Sequence, residues 1–299
     1  MPRPHIAALL IDLSGTLHVG STPAPHAVSA IEKLRQSHIP FRFCTNTSKE
    51  STDDLKGRLK RMGFEVRGSR DSEEEEVWSS LGAVKRVLAS KGLRKPYFIL
   101  TESAVEECVS AIPSYRQALE DEGLSYDAVV IGLAPERFHY DAMNTAFRTL
   151  ISRNPEQVPF IATHKAKYIR TPDGQLSLGP GPFVTALEHA SGVNAEVLGK
   201  PSKEFFETVI GSIQLPDSGR IAVIGDDVEA DFGEGAIELG LWRVLVKTGK
   251  YRVGDESKPG ITPPDEVQDS FASFIDSLLA SQLGRRDGAG EGSSHKSHV

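Results

Sequence analysis

Six apolar residues in a row, Ile6-Ala-Ala-Leu-Leu-Ile11, run without interruption into Asp12. A strand with one wet face alternates apolar and polar residues. An unbroken run of this length predicts a strand buried on both faces, as in a parallel sheet covered by helices. Ile221-Ala-Val-Ile224 repeats the pattern and runs into Gly225 and Asp226. Pro25–Ser37 carries Ala27, Ala30, Ile31 and Leu34 at helical spacing, and Phe41–Cys44 is a short strand. Thr52–Met62 places Leu55, Leu59 and Met62 on one stripe, with Gly63 as its stop. Strand, helix, strand, helix predicts an open α/β sheet.

The alternation restarts near Leu81. Ala83–Lys91 and Tyr140–Ser152 read as helices, and Tyr97–Leu100, Ala128–Ile131 and Phe160–Thr163 as strands. This second α/β unit, expected over 81–182, ends in Gly179-Pro-Gly-Pro182, a breaker cluster suited to a domain crossing. Helices at Phe183–Ser191, Phe205–Ile213, Ala230–Leu239 and Phe271–Leu283, with strands at Ile221–Ile224 and Arg243–Val246, return to the first unit. The expected organisation is a discontinuous core of 1–80 and 183–283, an insert of 81–182, and a disordered tail of 284–299, where Gly, Ser and charge dominate. A length of 299 residues suits two domains.

Lys and Arg number 34 against 41 Asp and Glu, a net charge of −7. That balance argues against nonspecific nucleic-acid binding, which needs a cationic surface. Two cysteines, Cys44 and Cys108, build neither a disulfide framework nor a four-thiolate metal site, and packed thiols in a reducing compartment are expected. No apolar run is long enough to span a bilayer, and Ile6–Ile11 lacks the features of a signal peptide. A soluble cytoplasmic protein without membrane or nucleic-acid partners is the expectation. The acidic run Glu73–Glu76 reads as a solvated segment at a helix start.

The polar residues concentrate at strand ends, where open α/β sheets bind ligands. Asp12-Leu-Ser-Gly-Thr-Leu17 either presents a reachable carboxylate or starts a turn helped by Gly15. Asp226 and Asp231 lie five residues apart across the turn into the next helix. Carboxylates gathered there are unfavourable without a cation, of which Mg²⁺ is the ordinary one. The alternative is helix capping by Asp227 or Asp231. Thr45-Asn-Thr-Ser-Lys49 is dense in hydroxyl and amide donors, a phosphate cradle or a turn, and Gly199-Lys200-Pro201 confines a lysine before a helix.

In this order the four segments resemble the four motifs of the haloacid dehalogenase-like hydrolases, over about residues 5 to 280. The likeness is strongest to the type IIA subfamily, whose large α/β cap is inserted between the second and third motifs. Gly132-Leu-Ala-Pro-Glu136, His164-Lys-Ala-Lys167, Gly179–Glu188 and Lys247-Thr-Gly-Lys-Tyr251 look like one member of it. The resemblance implies a Rossmann-like, doubly wound parallel-sheet core with an inserted cap that closes over the site. It also implies a Mg²⁺-dependent phosphatase working through an aspartyl-phosphate on a small phosphorylated substrate, a phosphoramidate or pyrophosphate. By resemblance Asp12 is nucleophile and metal ligand, the Ser14 carbonyl and Asp226 complete the metal ligands, and Asp231 lies in or near the outer shell. Substrate is met by Asp12, Leu13, Ser14, Thr45, Asn46 and Lys200, with Lys200 offsetting negative charge. In capped members the turn corresponding to Thr163–Arg170 faces the site. His164 and Lys165 then read an anionic substrate, although the same segment alone is also a solvated turn. His18 lines the entrance or packs, and the resemblance allows a homodimer through the cap.

The second motif position after the nucleophile is Ser14, where phosphatases of the superfamily usually carry an acid/base Asp. A serine hydroxyl is a poor acid near neutral pH, and general acid–base catalysis contributes ~10²–10⁴-fold. The same subfamily carries this Ser. Leaving groups that need little protonation, namely pyrophosphate, acyl and aryl phosphates and phosphoramidates, are expected to suffer least, and alkyl phosphates most. Asp227 is the candidate replacement for that acid, against a reading in which nothing replaces it. The alternative is a phosphate-binding or regulatory module with little turnover.

Overall fold

The computed structural model describes residues 2–68, 75–152, 158–171, 173–216 and 218–290, with 282–290 as backbone. Two wholly parallel sheets organise the chain. The larger runs Glu266–Gln268, Trp242–Val246, Arg220–Gly225, Ile6–Asp12, Phe41–Thr45, Val77–Ser79 across its six strands. Every residue of Ile6–Asp12 is buried, as its unbroken apolar run requires. Leu9 and Ile11 join one apolar layer with Ile31, Leu34, Phe274 and Leu278, while Ala8 and Leu10 join the other with Phe205, Phe206 and Val209. Early strands extend from Ile6–Asp12 in one direction and late strands in the other, so Asp12 stands at the switch point where such sheets open a crevice.

The second sheet has four strands in the order Glu196–Val197, Phe160–Ala162, Ala128–Ile131, Pro96–Ile99. It too is covered on both faces, by Leu81, Val84 and Cys108 on one side and Ala146, Leu150 and Val184 on the other. The strand Val77–Ser79 of the large sheet runs directly into the helix Ser80–Ser90. The helix Gly181–Ser191, beyond the breaker cluster, packs Val184 and Leu187 on the second sheet, and Glu196–Val197 pairs within it. The chain thus leaves the second sheet just before Lys200.

The acidic run differs from expectation, since Glu75 and Glu76 are buried in ion pairs with Lys56 and Arg35 ahead of the strand Val77–Ser79 rather than solvated at a helix start, and two of the expected helices take other bounds. The helix expected over Ala230–Leu239 is confined to Glu234–Glu238, because the Asp231 carboxylate folds back onto the N–H groups of Asp226 and Asp227 and holds the preceding residues in turns. The last helix runs from Phe271 to Gly290, past Leu283. The rest of the expected tail, 291–299, lies outside the described residues, as do Glu73 and Glu74. Cys44 and Cys108 are buried free thiols, and burial pushes Cys44 up to about 12, out of nucleophile range. Among the described residues no helix is long and apolar enough to cross a membrane.

The two sheets are braced at the start of the helix Thr52–Arg61. The buried Glu107 carboxylate, from the second unit, accepts the Thr52 N–H at 2.5 Å and its hydroxyl at 2.8 Å. This places a charge-assisted cap on a helix N-terminus across the unit boundary. Glu107→Ala is expected to cost about 1–3 kcal/mol, since it strands buried donors. The neighbouring exposed Glu106→Ala is expected to stay within about 0.5 kcal/mol. Urea unfolding of the two variants checks the contrast.

Candidate active site

Ile11 pairs with Ile224, so Asp12 and Asp226 leave adjacent strands at the same end of the sheet. The backbone closes tightly around Asp226. A Cβ on Gly15 (φ 102) would lie 2.0 Å from Asp226 Oδ2, and one on Gly249 (φ 57) 2.1 Å from the same atom. Only glycine tolerates both the approach and the left-handed backbone. The Lys250 N–H donates to Asp226 Oδ2 at 2.6 Å, and the Thr248 hydroxyl donates to the Gly15 carbonyl at 2.5 Å.

Lys200 supplies the central cation. Its buried Nζ lies 2.5 Å from Asp12 Oδ1 and 2.6 Å from Asp231 Oδ1. Burial alone would lower its pKa, but the two carboxylates outweigh burial and hold it well above the ordinary value. The Asn46 side chain clamps the lysine backbone: Nδ2 donates to the Lys200 carbonyl and Oδ1 accepts the Lys200 N–H, both at 2.8 Å. Thr45 organises the preceding loop through its hydroxyl, which donates to Thr47 Oγ1 and accepts the Thr47 N–H at 3.1 Å.

Oxygens of Asp12, Asp226 and Asp231 approach within 4.8 Å of one another, all buried. Asp231 is fully committed, one oxygen to Lys200 and the other to the N–H groups of Asp226 and Asp227, both at 3.1 Å. Among the described residues, Asp226 Oδ1 is buried with no hydrogen-bond partner, whereas Asp12 Oδ2 accepts only from the Thr16 hydroxyl at 3.1 Å. Burial raises the pKa of Asp226 well above its ordinary value and that of Asp231 to about 6, with neighbouring carboxylates adding to both shifts. A hard divalent cation between Asp12 and Asp226 fits this donor set. Asp231 is placed to brace it rather than to bind it directly.

These residues line a cavity of about 120 Å³ together with Ser14, Thr45, Asn46 and, from the second unit, His164. The buried His164 accepts the Ala166 N–H at Nδ1, and burial with the charges of Lys250 and Lys200 drives it down to about 3. It therefore presents a neutral ring with its proton on Nε2. His18 also lines the cavity, driven down to about 4 by burial and then Arg58. Two of the expected residues do not line the cavity: the Leu13 side chain lies in the apolar core, and the Lys165 side chain pairs with Glu188 at 2.7 Å. Asp227 is also accounted for. Its Oδ1 accepts the N–H groups of Glu229 and Ala230 at 3.0 Å and its Oδ2 pairs with Lys250 at 2.8 Å. Burial would raise its pKa, but Lys250 and these bonds outweigh it and hold the group ionised below its ordinary value. Site residues not singled out from the sequence include Thr16, Thr248, Gly249 and Lys250, and within the turn expected to face the site it is Arg170 rather than Lys165 that lines the cavity.

Residues 9–112 match a family model described as haloacid dehalogenase-like hydrolase, and residues 197–274 a second, HAD-hydrolase-like model. The human protein called haloacid dehalogenase-like hydrolase domain-containing protein 2 is 41% identical over 276 residues, which cover 92% of this chain and 96% of that one. Human phospholysine phosphohistidine inorganic pyrophosphate phosphatase is 34% identical, over 92% of this chain and 94% of its own. Among solved structures, a 4-nitrophenylphosphatase from Thermotoga maritima superposes with a TM-score of 0.76 at 20% identity, covering 92% of this chain and 98% of that one. A glycerol phosphate phosphatase from Mycobacterium tuberculosis, in complex with magnesium, gives 0.71 at 26% identity over 92% of this chain and 76% of its own.

The packing around Asp226 predicts a contrast between two glycines at positive φ. Gly92→Ala (φ 61, with nothing within 4 Å of the added carbon) meets only backbone strain, about 1–2 kcal/mol. Gly15→Ala must also displace the Asp226 carboxyl group and is expected to cost at least about 2 kcal/mol more. Denaturant midpoints decide this; equal costs would mean that the carboxyl group moves aside freely.

Proposed function

This chain belongs to the haloacid dehalogenase-like hydrolases, and on that premise we propose that it is a Mg²⁺-dependent phosphatase for small phosphorylated compounds whose leaving groups depart with little protonation. Its relatives include phosphatases by name. The observation that carries the reading is the buried bridge Asp12–Lys200–Asp231 set beside the unpartnered Asp226 Oδ1.

In this reading an oxygen of Asp12 bonds to phosphorus as the bond from phosphorus to the leaving oxygen or nitrogen breaks. Water then attacks the aspartyl-phosphate, releasing phosphate and returning the carboxylate. Asp12, the Ser14 carbonyl and Asp226 would hold Mg²⁺, which when bound offsets charge on the nucleophile and the phosphoryl oxygens. Lys200 does the same from the other side, aimed by Asp231 and Asn46. The Asn46 N–H and the Thr45 hydroxyl, once its proton turns from Thr47 Oγ1, are the hydrogen-bond donors to the phosphoryl group. We draw the cap as about 80–198, because the Gly181–Ser191 helix and the Glu196–Val197 strand join its sheet.

The restriction on leaving groups follows from what surrounds Ser14. Asp227 is ionised and fully hydrogen-bonded, and His18 and His164 are neutral near pH 7. None of them is a carboxylic acid poised to protonate an alkoxide. No specific observation favours the reading as a binding module without turnover.

Phosphate release from pyrophosphate, acetyl phosphate, p-nitrophenyl phosphate, a phosphoramidate and a sugar phosphate, with and without Mg²⁺, tests the proposal. Turnover is expected with all but the sugar phosphate, and is expected to vanish without metal and in Asp12→Asn. Ser14→Asp is expected to raise sugar phosphate turnover relative to p-nitrophenyl phosphate by about 10²-fold, the lower end of what an acid contributes. Rapid sugar phosphate hydrolysis by the unaltered protein would overturn the account of Ser14. No turnover on any substrate would overturn the phosphatase reading.

A further inference from the structure

The cap segment Lys165–Arg170 carries three cations that the fold treats differently. Lys165 is held by Glu188 and Lys167 by Glu229, each at 2.7 Å, and neither lines the active-site cavity. Arg170 does line it. Its Nη1 donates to the Gly174 carbonyl at 2.8 Å, while its Nε is buried and has no partner among the described residues. The short strand that carries it, Tyr168–Arg170, is paired antiparallel with Leu176–Leu178, and the Arg252 guanidinium sits 4.9 Å over the Tyr168 ring. Arg170 is therefore fixed in place with a buried donor to spare. An unsatisfied buried N–H of a charged group is costly, and such sites usually await an acceptor.

The charges in the rest of the cavity point the same way. Its three carboxylates belong to the strand-end cluster; Lys200 is bound into that cluster, and the Lys250 ammonium pairs with the adjacent Asp227 at 2.8 Å. Lys49 also lines the cavity, and the carboxylate beside it, Glu50, is taken by Arg58 at 2.5 Å. Leu133 and Ile169 add apolar surface from the cap. Among the described residues, Lys49 and Arg170 are the cavity cations without a carboxylate partner. A phosphoryl group at Asp12 is already served by Lys200, Thr45 and Asn46.

We propose that Arg170, aided by Lys49, selects substrates whose leaving group carries its own negative charge, a second phosphate or a carboxylate. The planar guanidinium matches either anion. This inference rests on the phosphatase reading for the reaction and narrows its substrate class.

The experiment compares Arg170→Ala with the unaltered protein on pyrophosphate, 4-carboxyphenyl phosphate and p-nitrophenyl phosphate. The first two differ in the source of the anion, and the third has no charged group on the leaving side before cleavage. kcat/KM is expected to fall about 10- to 100-fold further for the anionic substrates, mainly through KM, the size of a lost charge-assisted hydrogen bond. Arg170→Lys is expected to recover part of the loss. A selective loss on only one anionic substrate also supports the proposal and identifies the anion. An equal change on all three would overturn it, as Arg170 would then only support the cap. If the unaltered protein turns over none of them, the phosphatase reading has failed separately. Calorimetric binding of imidodiphosphate against phenylphosphonate, with Mg²⁺, then decides. A loss in Arg170→Ala at least about 10-fold greater for imidodiphosphate supports the anion site, and parallel losses overturn it.

Discussion

The ammonium of Lys200 is the contact on which the site depends. It bridges Asp12, at the end of one strand, and Asp231, beyond the end of its neighbour, in a place that water does not reach. Pairing of this kind barely offsets the cost of removing three charges from water. What it provides is position. With the lysine gone, two buried carboxylates would repel each other and Asp226, and the strand ends would have to move or take up protons. The lysine is itself pinned by the Asn46 amide, so the second strand's loop sets where the third segment's cation sits.

That arrangement ties the second unit to the strand-end cluster through fixed contacts. The chain passes from the cap strand Glu196–Val197 through Leu198, whose N–H bonds to the Ala162 carbonyl, directly to Lys200. Ser48 accepts the Leu133 N–H at 2.8 Å, the Ser51 N–H donates to Ser103 at 3.1 Å, and Glu107 caps the next helix. The loop that offers donors to a phosphoryl group is thus tied to the large sheet at Thr45 and to the cap at its other end. A backbone donor held this way, such as the Asn46 N–H, need not reorganise when charge develops, the condition under which fixed dipoles are most effective.

Strand ends were the legible part of this molecule. A doubly buried strand is largely apolar, so the first polar residue after an unbroken apolar run marks the edge of the sheet, and Asp12 and Asp226 declare themselves that way, whereas Thr45 ends a strand already interrupted by Arg42. The rest depends on side-chain direction, which spacing does not encode. Lys165 and Arg170 look alike in a basic segment, yet only the second faces the cavity. Thr248, Gly249 and Lys250 follow the strand Trp242–Val246 as a polar turn without a carboxylate, and their role came into view only as the backbone wrapped around Asp226. A signal was present in Gly249, since a glycine just past a buried strand often marks a close backbone approach. The fate of the helix after Gly179-Pro-Gly-Pro182 was hidden for a similar reason: its apolar face fits either sheet, and only packing shows which one it covers.

The serine at position 14 and the arginine at position 170 bear on the same difficulty from opposite ends of the substrate. When a phosphorus–oxygen bond breaks, the leaving oxygen gains charge, and that charge is stabilised either by a proton or by a nearby cation. Ser14 removes the ordinary source of the proton. Arg170 cannot replace it, because a guanidinium does not release its proton near neutral pH. It can hold an anion that needs no proton, and a leaving group already bearing a phosphate or carboxylate has a fixed anchor point for that cation to grip. The same guanidinium gives a neutral alcohol no comparable hold, and the alcohol's leaving oxygen would still lack an acid. On the phosphatase reading, a missing acid and an unpaired cation in one cavity therefore favour the same substrates.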